Sequence, residues 1–177
     1  EWDYELTAVP AQLHNRPERI SPAVETILDA WVARFDLILL GYADCGTGGA
    51  LDLLVERYEH VVRIPGPHCY EFFGGEAFDR QAEAQPGTFY LPDFLARHFD
   101  GLVWQGLGLD RHPELRDLYF GNYTHLLYLQ QDPKAGESLR ARAAAERLGL
   151  IYLQAETGLD VLSGRLVSLV AAFAGRA

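Results

Sequence analysis

Apolar and polar residues along this chain fall into short alternating runs, some with the period of a strand and some with that of a helix. Between Tyr4 and Val9, apolar Tyr4, Leu6 and Ala8 alternate with polar neighbours, which predicts a strand. Val24, Ile27, Leu28, Trp31 and Val32 recur at helical spacing. Ser21-Pro22, just ahead, supplies an N-cap residue followed by proline at the first helical position. Leu37–Leu40 is wholly apolar, as in strands buried on both faces. Within Ala50–Tyr58, Leu51, Leu54, Val55 and Tyr58 share one helical face. His60–Ile64 predicts the next strand, ended by Pro65-Gly66-Pro67. Thr124–Leu129 and Leu150–Leu153 predict two more strands around an Ala-, Arg- and Leu-rich helix, Glu137–Leu148. Leu159–Phe173 predicts a closing helix.

Strands alternating with helices imply an α/β fold: a three-layer, Rossmann-like, mostly parallel sheet with helices on both faces. The segment 71–122, rich in aromatics and glycines, is expected to form a partly irregular insertion, with Pro86–Leu91 a turn leading into an aromatic run. The chain shows no internal repeat, linker or low-complexity tract, so a single domain over residues 1–177 is expected.

Composition narrows the function classes. With 49% hydrophobic and 23% charged residues the chain has the makings of a packed core. No apolar run approaches the roughly 20 residues of a membrane span. A net charge of −10, from 15 basic and 25 acidic residues, disfavours nucleic acid and anionic membranes as partners. Two cysteines make no disulfide framework, which together with the lack of a signal peptide points to a reducing cytoplasm. The sequence opens without an initiator Met and contains no Met, so an N-terminal piece is expected to precede it.

The chemistry concentrates in three loops. In an open α/β sheet, ligands bind beyond the carboxyl ends of the strands. The first predicted strand leads to Leu13-His14-Asn15-Arg16-Pro17. The second leads to Gly41-Tyr42-Ala43-Asp44-Cys45-Gly46-Thr47-Gly48-Gly49, and the third to Pro65-Gly66-Pro67-His68-Cys69-Tyr70. Both cysteines and two of the six histidines thus fall on one predicted rim. Thiolate and imidazole are ligands for zinc, iron or copper, and they also make a nucleophile–base pair. Around Cys45, His68, Cys69 and His14 as metal ligands stand Asn15, Asp44, Gly46, Gly48 and Tyr90 as cofactor contacts. Cysteine is also a common core residue, so a packing role for Cys45 and Cys69 is the competing reading. Asp44 has two readings as well, proton acceptor or cap of the next helix. The glycines after Leu40 match neither the P-loop nor the dinucleotide fingerprint, which favours a tight strand-to-helix turn over a phosphate cradle. His60, His98, His112 and His125 read as packing or surface residues, and Thr88 as a packing residue with hydrogen-bonding capacity.

Leu13-His14-Asn15-Arg16-Pro17, Gly41 to Gly46, Pro65 to Cys69 and Pro86 to Leu91 occur in the order seen in the family catalogued as domain of unknown function 1638. Asn122-Tyr123-Thr124 and Gly158 to Leu162 extend that resemblance over most of the chain. The resemblance implies a one-carbon or methylamine context, with corrinoid or methyltransferase proteins as partners. It also implies an N-terminal strand ending in a cysteine-containing turn, ahead of the first residue here. Some members carry an aspartate between the histidine and the cysteine, where this chain has His68 directly followed by Cys69.

Three functions follow as expectations. The leading one is a protein binding a metal ion, zinc or iron, or a metallocofactor through Cys45, His68, Cys69 and His14. The second is a thiol enzyme with Cys45 as nucleophile and His68 as base. The third is a non-catalytic module for a small molecule or corrinoid, in which the cysteines only pack. Whether the protein is an enzyme stays open among them.

Overall fold

The computed structural model describes residues 3–175, which divide into two compact units, one ending at Pro67 and the other beginning at His68. In the first, helix α1 (Ile20–Trp31) buries Ile20, Val24 and Leu28, one face at i, i+4 and i+8. They pack with Ile38, Leu51, Leu54 and Val61 into one apolar cluster. Strand β1 (Ile38–Leu40), helix α2 (Ala50–Val55) and strand β2 (Val61–Arg63) complete the unit. β1 and β2 run parallel, with Ile38 opposite Val61 and Leu40 opposite Arg63.

Two expectations fail here. A 3₁₀ turn at Pro17–Arg19 feeds straight into α1, so Arg19 and not Ser21 takes the N-cap position. Pro22 then lies in the first turn, where its missing N–H leaves no intrahelical bond unmade. Tyr4–Val9 is not a strand: Tyr4 is 83% and Leu6 87% exposed. Alternation produces a strand only where a neighbouring edge takes the backbone bonds, and among the described residues no strand pairs with this segment.

The second unit begins with helices α3 (Cys69–Gly74) and α4 (Glu76–Ala84), followed by strand β3 (Thr88–Pro92) and helix α5 (Asp93–Arg97). A π-helical turn at Asp100–Trp104 leads to helix α6 (Leu115–Phe120). The segment 71–122 thus holds four helices, a π-helical turn and an edge strand, with turns over 105–114. Strand β4 (His125–Gln130), helix α7 (Ser138–Leu148), strand β5 (Ile151–Glu156) and helix α8 (Asp160–Ala174) follow. The sheet order is β3-β4-β5, parallel throughout, with β4 central and buried from Leu126 to Gln130.

β3 begins where Gly87 allows a close backbone approach. A side chain there would meet the Asn122 carbonyl at 2.7 Å, while the Thr124 N–H donates to the Gly87 carbonyl at 2.8 Å. α7 turns Ala141, Ala144, Ala145 and Leu148 into the core shared with Leu91, Phe99, Phe120, Leu126 and Tyr128. Two buried carboxylates in this unit, Asp93 and Glu137, are paired. The Tyr128 hydroxyl donates to Asp93 at 2.6 Å, and the amides of Gln131 and Asp132 donate to the same carboxylate. The buried Glu137 carboxylate takes bonds from Arg97 and Arg140, each at 2.8 Å. With every strand parallel and helices around both small sheets, the fold is the Rossmann-like α/β layout that the sequence predicts.

Candidate metal centre

Beyond Leu40 the chain cannot continue as a strand, because Gly46, Gly48 and Gly49 take φ of 84°, 64° and 86°. The turn they make is held from inside by Asp44. Its Oδ1 accepts from the Thr47 hydroxyl at 2.6 Å and from the Gly49 N–H at 2.8 Å, and its Oδ2 from the Gly48 N–H at 3.2 Å. These bonds, the Thr47 hydroxyl first and the glycine amides after it, hold the Asp44 carboxyl below its ordinary pKa. Asp44 thus braces the turn ahead of α2, whose N-cap position is taken by Gly49 with no side-chain cap, so it is not the helix cap that the sequence suggested.

Parallel pairing of β1 with β2 carries on into the loops. The Asp44 N–H donates to the Gly66 carbonyl and the Cys45 N–H to the Pro67 carbonyl, both at 3.0 Å. Pinned in this way, Cys45 has φ of 49°, the one non-glycine residue with positive φ among those described. That conformation costs a side-chain-bearing residue about 1–2 kcal/mol, and it persists because the surrounding bonds determine it.

Arg63, the last residue of β2, ties both loops together. Its Nη1 donates to the carbonyls of Tyr42, Ile64 and Gly66 at 3.4, 2.9 and 3.4 Å, and its Nη2 to Asp52 Oδ1 at 2.6 Å. Sequence reasoning missed this residue. The only signal was an arginine closing an otherwise apolar strand.

His14 stands in a 3₁₀ turn, Ala11–Asn15, that follows Pro10. Its Nδ1 lies 3.1 Å from the Ala11 carbonyl, and since a carbonyl can only accept, Nδ1 carries the proton. Nε2 is left with a lone pair, the arrangement usual for a metal-binding histidine. The ring stacks on Tyr42 with centroids 5.5 Å apart. A hydrogen bond with Cys45 raises the His14 pKa; burial opposes it, and the Ala11 carbonyl adds to the rise.

Ligand atoms of His14, Cys45 and Cys69 all lie within 4.8 Å of one another. Cys69 reaches this place through the chain itself, being two residues beyond the Pro67 that Cys45 holds. One imidazole nitrogen and two sulfurs are donor types that zinc takes in tetrahedral sites. Both thiols are half-buried and His14 is exposed, which leaves one side open to solvent.

His68 is outside this group. It caps α3 with an extended backbone, and its ring stacks with Tyr70, centroids 6.4 Å apart. Adjacent residues, one extended and one opening a helix, send their side chains in different directions. Asn15 closes the same turn as His14. Tyr90 lies in β3, stacked on Tyr70 and tilted against Phe78, with burial first and then Asp79 raising its pKa.

A family model described as protein of unknown function (DUF1638) matches residues 8–166. The chain belongs to this family. The match takes in His14, Cys45 and Cys69 alike, so all three donors of this DUF1638 protein lie within the family region. No curated protein and no solved structure matches the chain. Among the described residues of this DUF1638 member, no helix is long and apolar enough to cross a membrane.

Proposed function

We propose that this protein binds a thiophilic transition-metal ion, zinc before iron, through His14 Nε2, Cys45 Sγ and Cys69 Sγ. The observation that carries the reading is the convergence of these three donor atoms within 4.8 Å. The fixed His14 tautomer and the strained Cys45 backbone support it. Two thiolates and one imidazole suit zinc, and three protein ligands leave a fourth position for water or a small molecule. When bound, the ion would supply Lewis acidity there. The protein's part is to fix the donors: Asp44 and Arg63 hold the loop of Cys45, and Ala11 orients His14. The one-carbon context, with a corrinoid or methyltransferase protein as partner, belongs to the same proposal and is supported by the family resemblance alone.

The test is elemental analysis of untagged protein, followed by zinc titration of the metal-stripped chain. One equivalent bound with raised melting temperature is expected, lost in Cys45→Ser and in Cys69→Ser. Absence of stoichiometric metal and no response of melting to zinc or chelator would overturn it.

A second reading has its own observation. On this reading His14, in place of His68, would act as base for a nucleophilic Cys45, a role that the hydrogen bond between the two supports. Alkylation rates decide: Cys45 should then outpace Cys69 in metal-free protein and slow markedly in His14→Gln.

A further inference from the structure

β5 closes the second sheet without cover. Strands of a parallel sheet are normally buried on both faces, as β4 is, yet β5 buries none of its residues. The helix that follows it, α8, buries none either, and Ile151, Leu159 and Val167 stand exposed. Among the described residues no strand pairs with the edge of β5 that faces away from β4. Ile151 and Thr157 donate inward, to the carbonyls of Thr124 and Gln130. By the two-residue alternation of a strand, the N–H and C=O groups of Tyr152, Gln154 and Glu156 therefore point outward. Edge strands that stay single are guarded by lysine, proline or a bulge, and Ile151–Glu156 has none of the three.

The charges beside this edge select its partner. Arg142 of α7 lies over the Tyr152 ring, 4.5 Å from the centroid. Glu156 points to the same face of β5 as Tyr152 but stands about 13 Å further along the strand, at roughly 3.3 Å per residue. Both side chains are exposed, and among the described residues neither makes an ion pair.

We propose that two copies of this chain join through β5, antiparallel about a two-fold axis at Gln154, so that the sheet continues from one copy into the other. In this register Gln154 faces itself and Tyr152 faces Glu156 of the second copy. All three outward residues of each β5 then exchange backbone bonds, which no shifted register achieves within the strand. The same register sets each Glu156 carboxylate beside the second copy's Arg142, once at each end of the junction. Pairing centred on Tyr152 or on Glu156 would instead oppose like charges. On the other face Leu153 meets Ala155. Full backbone pairing and charge matching thus select one register.

The experiment measures the mass of the full chain by sedimentation equilibrium over a wide concentration range. A reversible dimer is expected. Arg142→Glu and Glu156→Arg should each weaken it roughly tenfold, because each puts like charges opposite one another at two places. The double exchange should restore it. Gln154→Pro removes the N–H at the axis, where an edge strand tolerates proline, and should leave a folded monomer. A wild-type monomer throughout, its edge left to another segment or another protein, would overturn the proposal. So would a dimer indifferent to both single reversals, which would place the junction elsewhere. Rescue by the double exchange separates lost association from lost folding.

Discussion

The backbone N–H of Cys45 donates to the carbonyl of Pro67 at 3.0 Å, one residue after the Asp44 N–H makes the same bond to Gly66. These two bonds extend the β1–β2 pairing past the end of both strands. They fix a cysteine in a backbone conformation that cysteine disfavours.

That strain separates fold from chemistry at position 45. Cys45→Gly is expected to be more stable than Cys45→Ala by roughly 0.5–1 kcal/mol, because glycine adopts φ of 49° without a Cβ clash. Both variants should lose zinc binding. Urea unfolding of the two metal-free variants checks the order, and Ala as the more stable one would show that the turn carries no strain.

Arg63→Met should weaken both the fold of the first unit and the metal centre. Three carbonyls and Asp52 lose a donor whose side chain is only 10% exposed. A cost of about 1–3 kcal/mol is expected, with zinc affinity down roughly 10–100-fold. Arg63→Lys should rescue little, since an ammonium cannot span the same partners as a planar guanidinium. Denaturant melts and competitive zinc titrations measure the two effects.

Metal binding should fail in acid. His14 and both thiols must shed protons to ligate. The His14 pKa is raised, so in the metal-free protein it holds its proton to higher pH than an ordinary histidine, near 6.5, and competes with the metal there. Apparent zinc affinity measured from pH 8 down to 5 should fall throughout. In His14→Gln it should be weaker at pH 8 and flatter across the range.

Glu137 makes a separate acid limb. Its pKa is lowered, chiefly by Arg97 and then by Arg140, against a burial effect that raises it. A carboxyl with a depressed folded pKa contributes stability above its unfolded value of about 4.3. That contribution is lost as pH falls through the folded value. Glu137→Gln should therefore flatten the decline of stability on acidification, as read by thermal melts between pH 6 and 2.

Tyr128→Phe removes the 2.6 Å bond to Asp93 from the centre of the second sheet. The carboxylate keeps the Gln131 and Asp132 amides, so the loss should be about 1.5–3 kcal/mol, the range for hydrogen bonds to charged groups. An unchanged urea m-value would confirm that the ring still packs.

Periodicity made most elements legible: α1, β1, β2, β4, α7, β5 and α8 stand within a few residues of where the pattern predicts them. β3 was hidden because Pro86-Gly87 and Pro92 look like turn chemistry, although proline is tolerated on an edge strand. Tyr4–Val9 misled because alternation says nothing about whether a partner strand exists. His14, Cys45 and Cys69 were legible as residues following predicted strands and turns. His68 was misassigned because one residue of chain decides which way a side chain points. Arg63 was not legible at all, since its clamp depends on where three carbonyls of two loops aim.

β4 is paired along both edges and buried from Leu126 through Gln130. Its amides cannot reach solvent unless a neighbouring strand is stripped away, so the slowest proton exchange of the second unit should map there. Those amides set a clock for the unit's opening, against which exchange elsewhere in it can be timed.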